Sequence, residues 1–312
     1  MTAPLVSVII PTYNRATTII RCLDSVFKQT YLPIEVIVVD DGSTDRTVEA
    51  IKIYGDKITL ICQPNRGPSA ARNAGVTTSK GDIIAFLDSD DTWMPEKIER
   101  QVKLMEQAGA AVPCCVCNAK ILSENGTSIN SFEVSNVESD LAEGYWLNPT
   151  PIIATRFLLF NQVVAIRRVA FDSIGGFKES MRLLEDHDLA FRLSLLGPWA
   201  FLSETLVEKY NDSNGVGVLA MKDATIHLNA WVTAVQGFLG QSVESGGDIE
   251  RLILRSVKDG TNKLLALKML ESGGVLNWGI AQLFIVWLRF MGAIRRRHAS
   301  WPRVRSVATL AP

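Results

Sequence analysis

The chain is poor in several residue types whose absence narrows what it can be. It has three histidines and five cysteines in 312 residues. No second Cys or His pair stands at zinc-finger spacing beside the close trio Cys114, Cys115 and Cys117, so the trio reads as core packing in a buried strand. The odd cysteine count and the lack of a signal-like N-terminus lead us to expect a reducing, cytoplasmic compartment. A formal charge of −1 shows no basic bias of the kind a nucleic-acid partner requires. Glycine is missing from the first candidate loop, Pro11-Thr12-Tyr13-Asn14-Arg15, and Gly215-Val216-Gly217 is too short for a dinucleotide motif. With 47% hydrophobic residues the chain can still bury a substantial core.

What is present is a regular alternation. Val6 to Ile10 is β-branched, Ile19, Ile20, Leu23, Val26 and Phe27 recur at helical spacing, and Ile34 to Val39 returns to strand character. Ile58 to Cys62 and Ile83 to Leu87 follow further helical stretches. Strands alternating with helices of this length predict an α/β fold with a parallel sheet covered on both faces. In such sheets ligands bind beyond the carboxyl ends of the strands. That rule gathers PTYNR, the run Asp40-Asp41-Gly42-Ser43-Thr44-Asp45, the run Gln63 to Gly67, and the cluster Asp88-Ser89-Asp90-Asp91 into one crevice, joined by Arg72. An aromatic ring, paired carboxylates, an arginine and an acidic turn suit a nucleotide held through a metal. Hard cations such as Mg²⁺ and Mn²⁺ take one or two carboxylates and complete their shell with water and substrate phosphates. The competing reading of the acidic turn is a helix N-terminus, since Thr92 and Pro95 sit where a helix could start. Asp40, beside a glycine turn, could cap that turn with its own side chain.

Taken in order, PTYNR, VVDDGSTD, NRGPSAARNAG, FLDSDDTW and GGFKESMRLLEDHDLAFRL resemble the inverting family 2 glycosyltransferases of GT-A fold. The resemblance covers roughly the first two-thirds of the chain, and five ordered motifs are far more specific than any one alone. It implies a GT-A type, Rossmann-like, mostly parallel sheet sandwiched by helices in residues 1–214, with a nucleotide-sugar half (1–110) and an acceptor half (111–214). It also implies that Pro11, Thr12, Tyr13 and Arg15 line the donor, with Thr12 and Tyr13 flanking the base and Asp41 hydrogen-bonded to it. Arg72 would lie near the base or phosphates. Asp88 would face ribose and metal beside Ser89, and Asp90 would be the main ligand of a Mn²⁺ or Mg²⁺ ion, with Asp91 as the alternative. The Glu185-Asp186 pair would open a helix on the acceptor side, Asp186 as general base and Glu185 positioning it or the acceptor. The same acids could instead serve only as favourable helix N-terminal charge.

The implied reaction moves a sugar from a nucleotide sugar, a UDP-sugar by resemblance, to a hydroxyl of a saccharide or lipid-linked acceptor in cell-surface polysaccharide biosynthesis. A catalytically silent nucleotide-sugar-binding or scaffold protein with the same fold is the alternative; a sugar nucleotidyltransferase would need a glycine-rich first loop that PTYNR lacks. Residues 215–312 read as a helical extension. Its apolar run Val275 to Ile294, with Trp278 and Trp287, precedes Arg295, Arg296, Arg297, Arg303 and Arg305 in a stretch free of Asp and Glu. We expect a helix lying in the membrane interface, its arginines meeting anionic lipid at the cytoplasmic face. Arg289 within the run argues against a full span, and a core or dimer helix with a basic tail is the competing reading. Asn211 to Gly217 reads as a flexible boundary or a lid over the donor.

Overall fold

The computed structural model describes residues 2–210, apart from 124, 125, 138, 156–159 and 182, together with 304 and 305. The expected lid at 211–217, the helices of 215–274 and the interface helix 275–294 lie outside the described residues. Among the described residues no helix is long and apolar enough to cross a membrane.

The first half alternates strand and helix: β1 (Val6–Thr12), α1 (Ile19–Phe27), β2 (Ile34–Asp40), α2 (Thr47–Ile51), β3 (Thr59–Cys62), α3 (Pro68–Thr78) and β4 (Ile83–Phe86). β1 is buried along its whole length, as a strand covered on both faces must be. α1 turns Ile19, Cys22, Leu23 and Val26 inward at i, i+3, i+4 and i+7, which lays one apolar stripe on the sheet. α3 opens with Pro68, whose missing N–H costs nothing at that position. Its Gly75 packs directly on the sheet: a Cβ there would stand 2.4 Å from Ile9 Cγ2 and 3.2 Å from Val39 Cγ2.

The second half runs β5 (Thr92–Trp93), α4 (Lys97–Ala108), β6 (Cys114–Leu122), β7 (Ser128–Asn130), α5 (Ser131–Ser135), β8 (Glu143–Trp146), α6 (Thr150–Thr155), β9 (Val164–Arg167), α7 (Arg168–Ser173), α8 (Glu185–Ser194) and β10 (Trp199–Tyr210), with β11 (Val304–Arg305) beyond. One sheet has the order β11-β8-β10-β6-β9-β4-β1-β2-β3, with β5 beside β10 and β7 beside β6. The β3-β2-β1-β4 block is parallel. β9 then joins β4 to β6 with antiparallel pairing on both sides. The acidic turn does not cap a helix: β5 intervenes, and α4 begins only at Lys97. The cysteine trio lies buried in β6, whereas Cys62, at the carboxyl end of β3, is exposed.

Candidate active site

β1 is flanked by β2 on one side and β4 on the other, so the chain reverses its direction of winding there and leaves a crevice beyond the strand ends. The loops that fill it are tied together by their own polar groups. Asn14 Oδ1 accepts from Thr44 N at 2.8 Å and from Asp45 N at 3.3 Å, and Asn14 N donates to Ser43 Oγ at 2.9 Å. Asp40 caps its turn, accepting from Ser43 N at 3.0 Å. Gly42 at φ +80° makes that turn possible, since any Cβ there would meet Asn65 N at 2.9 Å.

The predicted donor residues converge here. Thr12 is buried, and its hydroxyl finds no partner among the described residues, nor does Asp40 Oδ1. Orphaned buried oxygens are rare enough to call for a ligand or an ordered water. Tyr13 leaves 44% of its surface exposed at the crevice mouth. Pro11 is buried within β1. Asp41 holds the loop before α3: its carboxylate accepts from Gln63 Nε2 at 2.7 Å, Arg66 N at 2.9 Å and Gly67 N at 2.8 Å.

The acid cluster is a tight turn, closed by Asp91 N donating to Asp88 O at 3.0 Å, with Ser89 buried inside it. Its carboxylates differ sharply. Asp91 is fully buried and committed to the protein, accepting from Tyr210 N at 2.9 Å and Gln162 Nε2 at 2.8 Å, with Lys209 Nζ at 3.5 Å. Asp88 accepts from Arg72 Nη2 at 2.8 Å and from Gln162. Asp90 has one ionic contact, Arg15 Nη2 at 3.3 Å, while its backbone carbonyl accepts from Arg21 Nη2 at 2.8 Å. Burial works to raise the Asp88 pKa, but Arg72 and Lys209 outweigh it and hold the carboxyl below its usual range. Asp90 is raised by burial and by Asp88. Asp91 is pushed up to about 7, by burial and then by its two acidic neighbours acting against Lys209.

Among the described residues no three His, Cys, Asp or Glu side chains form a closed metal cage. A hard cation that takes one or two carboxylates and completes its shell from a diphosphate needs none. A turn that crowds three carboxyls, raising Asp90 and Asp91, fits such an ion, and among the described residues Asp90 is the one whose carboxylate pairs with a single side chain, Arg15.

Arg72 connects this turn to the second predicted group. Its side chain is 4% exposed and spans Asp88 and Glu185, with Nη1 at 3.0 Å from the Glu185 carboxylate. Glu185 and Asp186 open α8, as expected, and Asp186 Oδ1 accepts from His187 N at 2.8 Å. Burial and then Glu185 push the Asp186 pKa up to about 7. Asp188, one turn in, is clamped by Lys178 at 2.7 Å and Arg192 at 2.7 Å, which fixes the start of the helix. Gln162 and Lys209 escaped the sequence reading because neither sits in a recognisable motif. The single hint for Lys209 was its charge at the end of an apolar strand.

The chain has clear relatives. The family model described as "Glycosyl transferase family 2" matches residues 7–168, more than half of the chain. An uncharacterized glycosyltransferase of Rickettsia typhi is 32% identical over 206 residues, 66% of this chain and 64% of that protein, so the match spans a little under two-thirds of the relative. Succinoglycan biosynthesis protein ExoO of Rhizobium meliloti is 27% identical over 323 residues, covering 99% of this chain and 87% of ExoO. Among solved structures, S. aureus TarS superposes with a TM-score of 0.61 at 21% identity, over 82% of this chain and 71% of TarS, and TarS has also been solved with UDP-GlcNAc at a TM-score of 0.56. Fold, motif order and matched length agree, and the chain belongs to glycosyl transferase family 2.

Proposed function

We propose that the chain is a metal-dependent inverting glycosyltransferase that moves a sugar from a UDP-sugar to a hydroxyl of a saccharide or lipid-linked acceptor in cell-surface polysaccharide biosynthesis. The observation that carries this reading is the single buried guanidinium of Arg72 between Asp88 of the acid cluster and Glu185 of the carboxylate pair. It ties the acid turn to the carboxylate pair at one crevice, which supports a donor side and a base side in one site. ExoO's part in succinoglycan biosynthesis and the UDP-GlcNAc bound by TarS support the pathway and the donor class.

In this reading Tyr13 stacks on the base, and the orphaned hydroxyl of Thr12 donates to or accepts from the nucleoside. Asp41 serves the base through the loop it orders as well as through its carboxylate. Asp90, with Asp88, would hold the divalent cation, and the ion's contribution is Lewis-acid stabilisation of the departing nucleoside diphosphate. Arg15 beside Asp90 and Lys209 beside Asp91 add fixed positive charge to the same turn. On the opposite face of the sugar, Asp186 accepts the proton of the acceptor hydroxyl as its oxygen bonds to the anomeric carbon and the bond to the diphosphate breaks. Glu185, paired with Arg72, keeps that end of α8 in place. The run at 275–305 would hold the enzyme at the inner face of the membrane; co-flotation of the full chain with anionic vesicles tests this, and failure to float rejects it.

The deciding experiment is thermal stabilisation by UDP, GDP and dTDP, each with and without Mn²⁺, beside Asp90→Asn, followed by a sugar-transfer assay with the stabilising nucleotide's sugars. A metal-dependent rise for UDP that the variant loses, followed by transfer, is the expected result. Binding with no transfer or donor hydrolysis would favour the catalytically silent binding protein. No response to any nucleotide would overturn the donor site itself.

A further inference from the structure

Gln162 stands behind the acid cluster and is 2% exposed. Its amide nitrogen donates to Asp88 Oδ2 and, at 2.8 Å, to Asp91 Oδ2. An amide nitrogen carries two hydrogens, so both go to the cluster. The remaining oxygens of the same carboxylates are held elsewhere, Asp88 Oδ1 by Arg72 and Asp91 Oδ1 by the backbone of Tyr210. Gln162 is therefore the element common to both.

The peptide that carries it is clamped from behind. Trp93 Nε1 donates to the Gln162 carbonyl at 3.0 Å, and Gln101 Nε2 donates to the Val163 carbonyl at 2.7 Å and to Cys115 O at 2.9 Å. Gln101 Oε1 in turn accepts from Lys97 Nζ at 2.8 Å, which lies 4.0 Å above the Trp93 ring and is fully buried. Trp93, Lys97 and Gln101 belong to the stretch that leaves the acid cluster itself. The chain thus builds the turn, folds back as β5 and α4, and props the residue that holds the turn in shape.

The chemistry of that residue matters. Two carboxylates on one turn repel, and without a donor between them they rotate apart or take up a proton. Arg72, Arg15 and Lys209 already bring positive charge to these carboxylates. A neutral amide orients two of them without adding more. We infer that Gln162 is a positioning residue for the acid cluster: its amide holds Asp88 and Asp91 in the one arrangement that lets Asp88 and Asp90 close on a hard divalent cation. This inference rests on the metal-dependent reading above.

The test is Mn²⁺ binding by the full chain with UDP present, read from the electron paramagnetic resonance of free Mn²⁺, beside thermal unfolding of the metal-free protein. Gln162→Met keeps the volume and removes both donors, and it should raise the Mn²⁺ dissociation constant about 10–100-fold, as loss of a hydrogen bond that orients a metal ligand does. Trp93→Phe keeps a ring beneath Lys97 and removes only the indole N–H, so it should weaken binding in the same direction but less. It also stands in should the Gln162 variant fail to fold. Wild-type binding with both folded variants within twofold of it overturns the inference and leaves the metal reading intact, even if the unfolding midpoints fall. No Mn²⁺ binding by wild type overturns the metal reading and this inference with it; Asp90→Asn is the reference for lost binding.

Discussion

The two halves of the sheet place functional groups by different means. In the β3-β2-β1-β4 block the strands are parallel and aliphatic, β1 and β4 buried throughout and β2 over most of its length with β3 as a half-exposed edge, and α3 lies so close that Gly75 touches Ile9. Topology alone brings four strand ends together there, and each candidate residue except Arg72, which α3 carries, lies within a few positions of its own strand. The second half pairs largely antiparallel strands around an aromatic stack. The Trp146 ring lies 5.4 Å from Phe201, 5.9 Å from Phe132 and 6.5 Å from Trp199, and Phe160 lies 5.6 Å from Trp199. No strand end delivers Glu185 and Asp186. They reach the crevice because α8 is anchored through Asp188 and its first turn is joined to the other half by Arg72. A parallel block positions by connection, whereas its partner positions by contacts distant in sequence.

The sharpest way to break that contrast is a pair of carboxamides. Asp90→Asn should abolish detectable transfer and the Mn²⁺-dependent thermal shift with UDP together, because it removes the proposed metal ligand, whose carboxylate pairs with a single side chain among the described residues. Asp186→Asn should cut turnover by about 10²–10⁴-fold, the usual worth of a general base, and leave the UDP shift at the wild-type value. If Asp186→Asn kept full transfer activity, the base assignment would be wrong. If it also lost nucleotide binding, the two halves would not be separable.

Arg72→Met tests the link between them. It strands two acidic side chains beside a buried position and should cost about 3–5 kcal/mol in urea unfolding. A loss below about 1 kcal/mol would mean that the halves are held by the sheet and not by the bridge.

Protonation sharpens the comparison on the acceptor side. Asp186 has its pKa raised by burial and Glu185 from 3.8 to about 7. A base must be unprotonated, so the log of turnover should rise with pH up to about 7 and then level off, and Asp186→Asn should flatten that limb. Stability runs the other way: the group's contribution is full below its unfolded value and is lost as pH climbs to about 7, because folding then confines a charge in poorly solvating surroundings. Pairing with a cation lowers a carboxyl, so Arg72→Met should shift the activity limb to higher pH.

The smallest effect belongs to the aliphatic block. Gly75→Ala gains about 1 kcal/mol of helix propensity. Its Cβ nevertheless meets buried Ile9 at 2.4 Å, and overpacking of that kind costs about 1–3 kcal/mol. A net loss in chemical denaturation is expected; a gain would show that α3 can lift from the sheet.

Legibility follows the same divide. The strands expected at Val6–Ile10, Ile34–Val39, Ile58–Cys62 and Ile83–Leu87 reappear within two residues of their expected ends, and Asp40 caps its turn as its neighbouring glycine suggested. Periodicity reports burial, and burial in a parallel block is nearly continuous. β5 was not legible, because two residues carry no period and Trp93 pairs with Val207 on β10, 114 positions away. Gln162 was hidden for a similar reason: its partners lie 71 and 74 positions away. The bond that engages the Asp91 carboxylate with the protein was hidden likewise, since its donor Tyr210 lies 119 positions away.

The distribution of thiols has a practical corollary. Cys22, Cys114, Cys115 and Cys117 are buried and Cys62 is exposed, at the end of β3 opposite Asp40 in the register and thus on the rim of the crevice beyond the strand ends. A maleimide fluorophore should therefore label the native chain at one place without engineering. Desolvation and Asp40 raise the Cys62 pKa, so coupling will go best in mildly alkaline buffer, where the thiolate is available. The unmodified protein already carries an attachment point for an optical reporter of the proposed donor site.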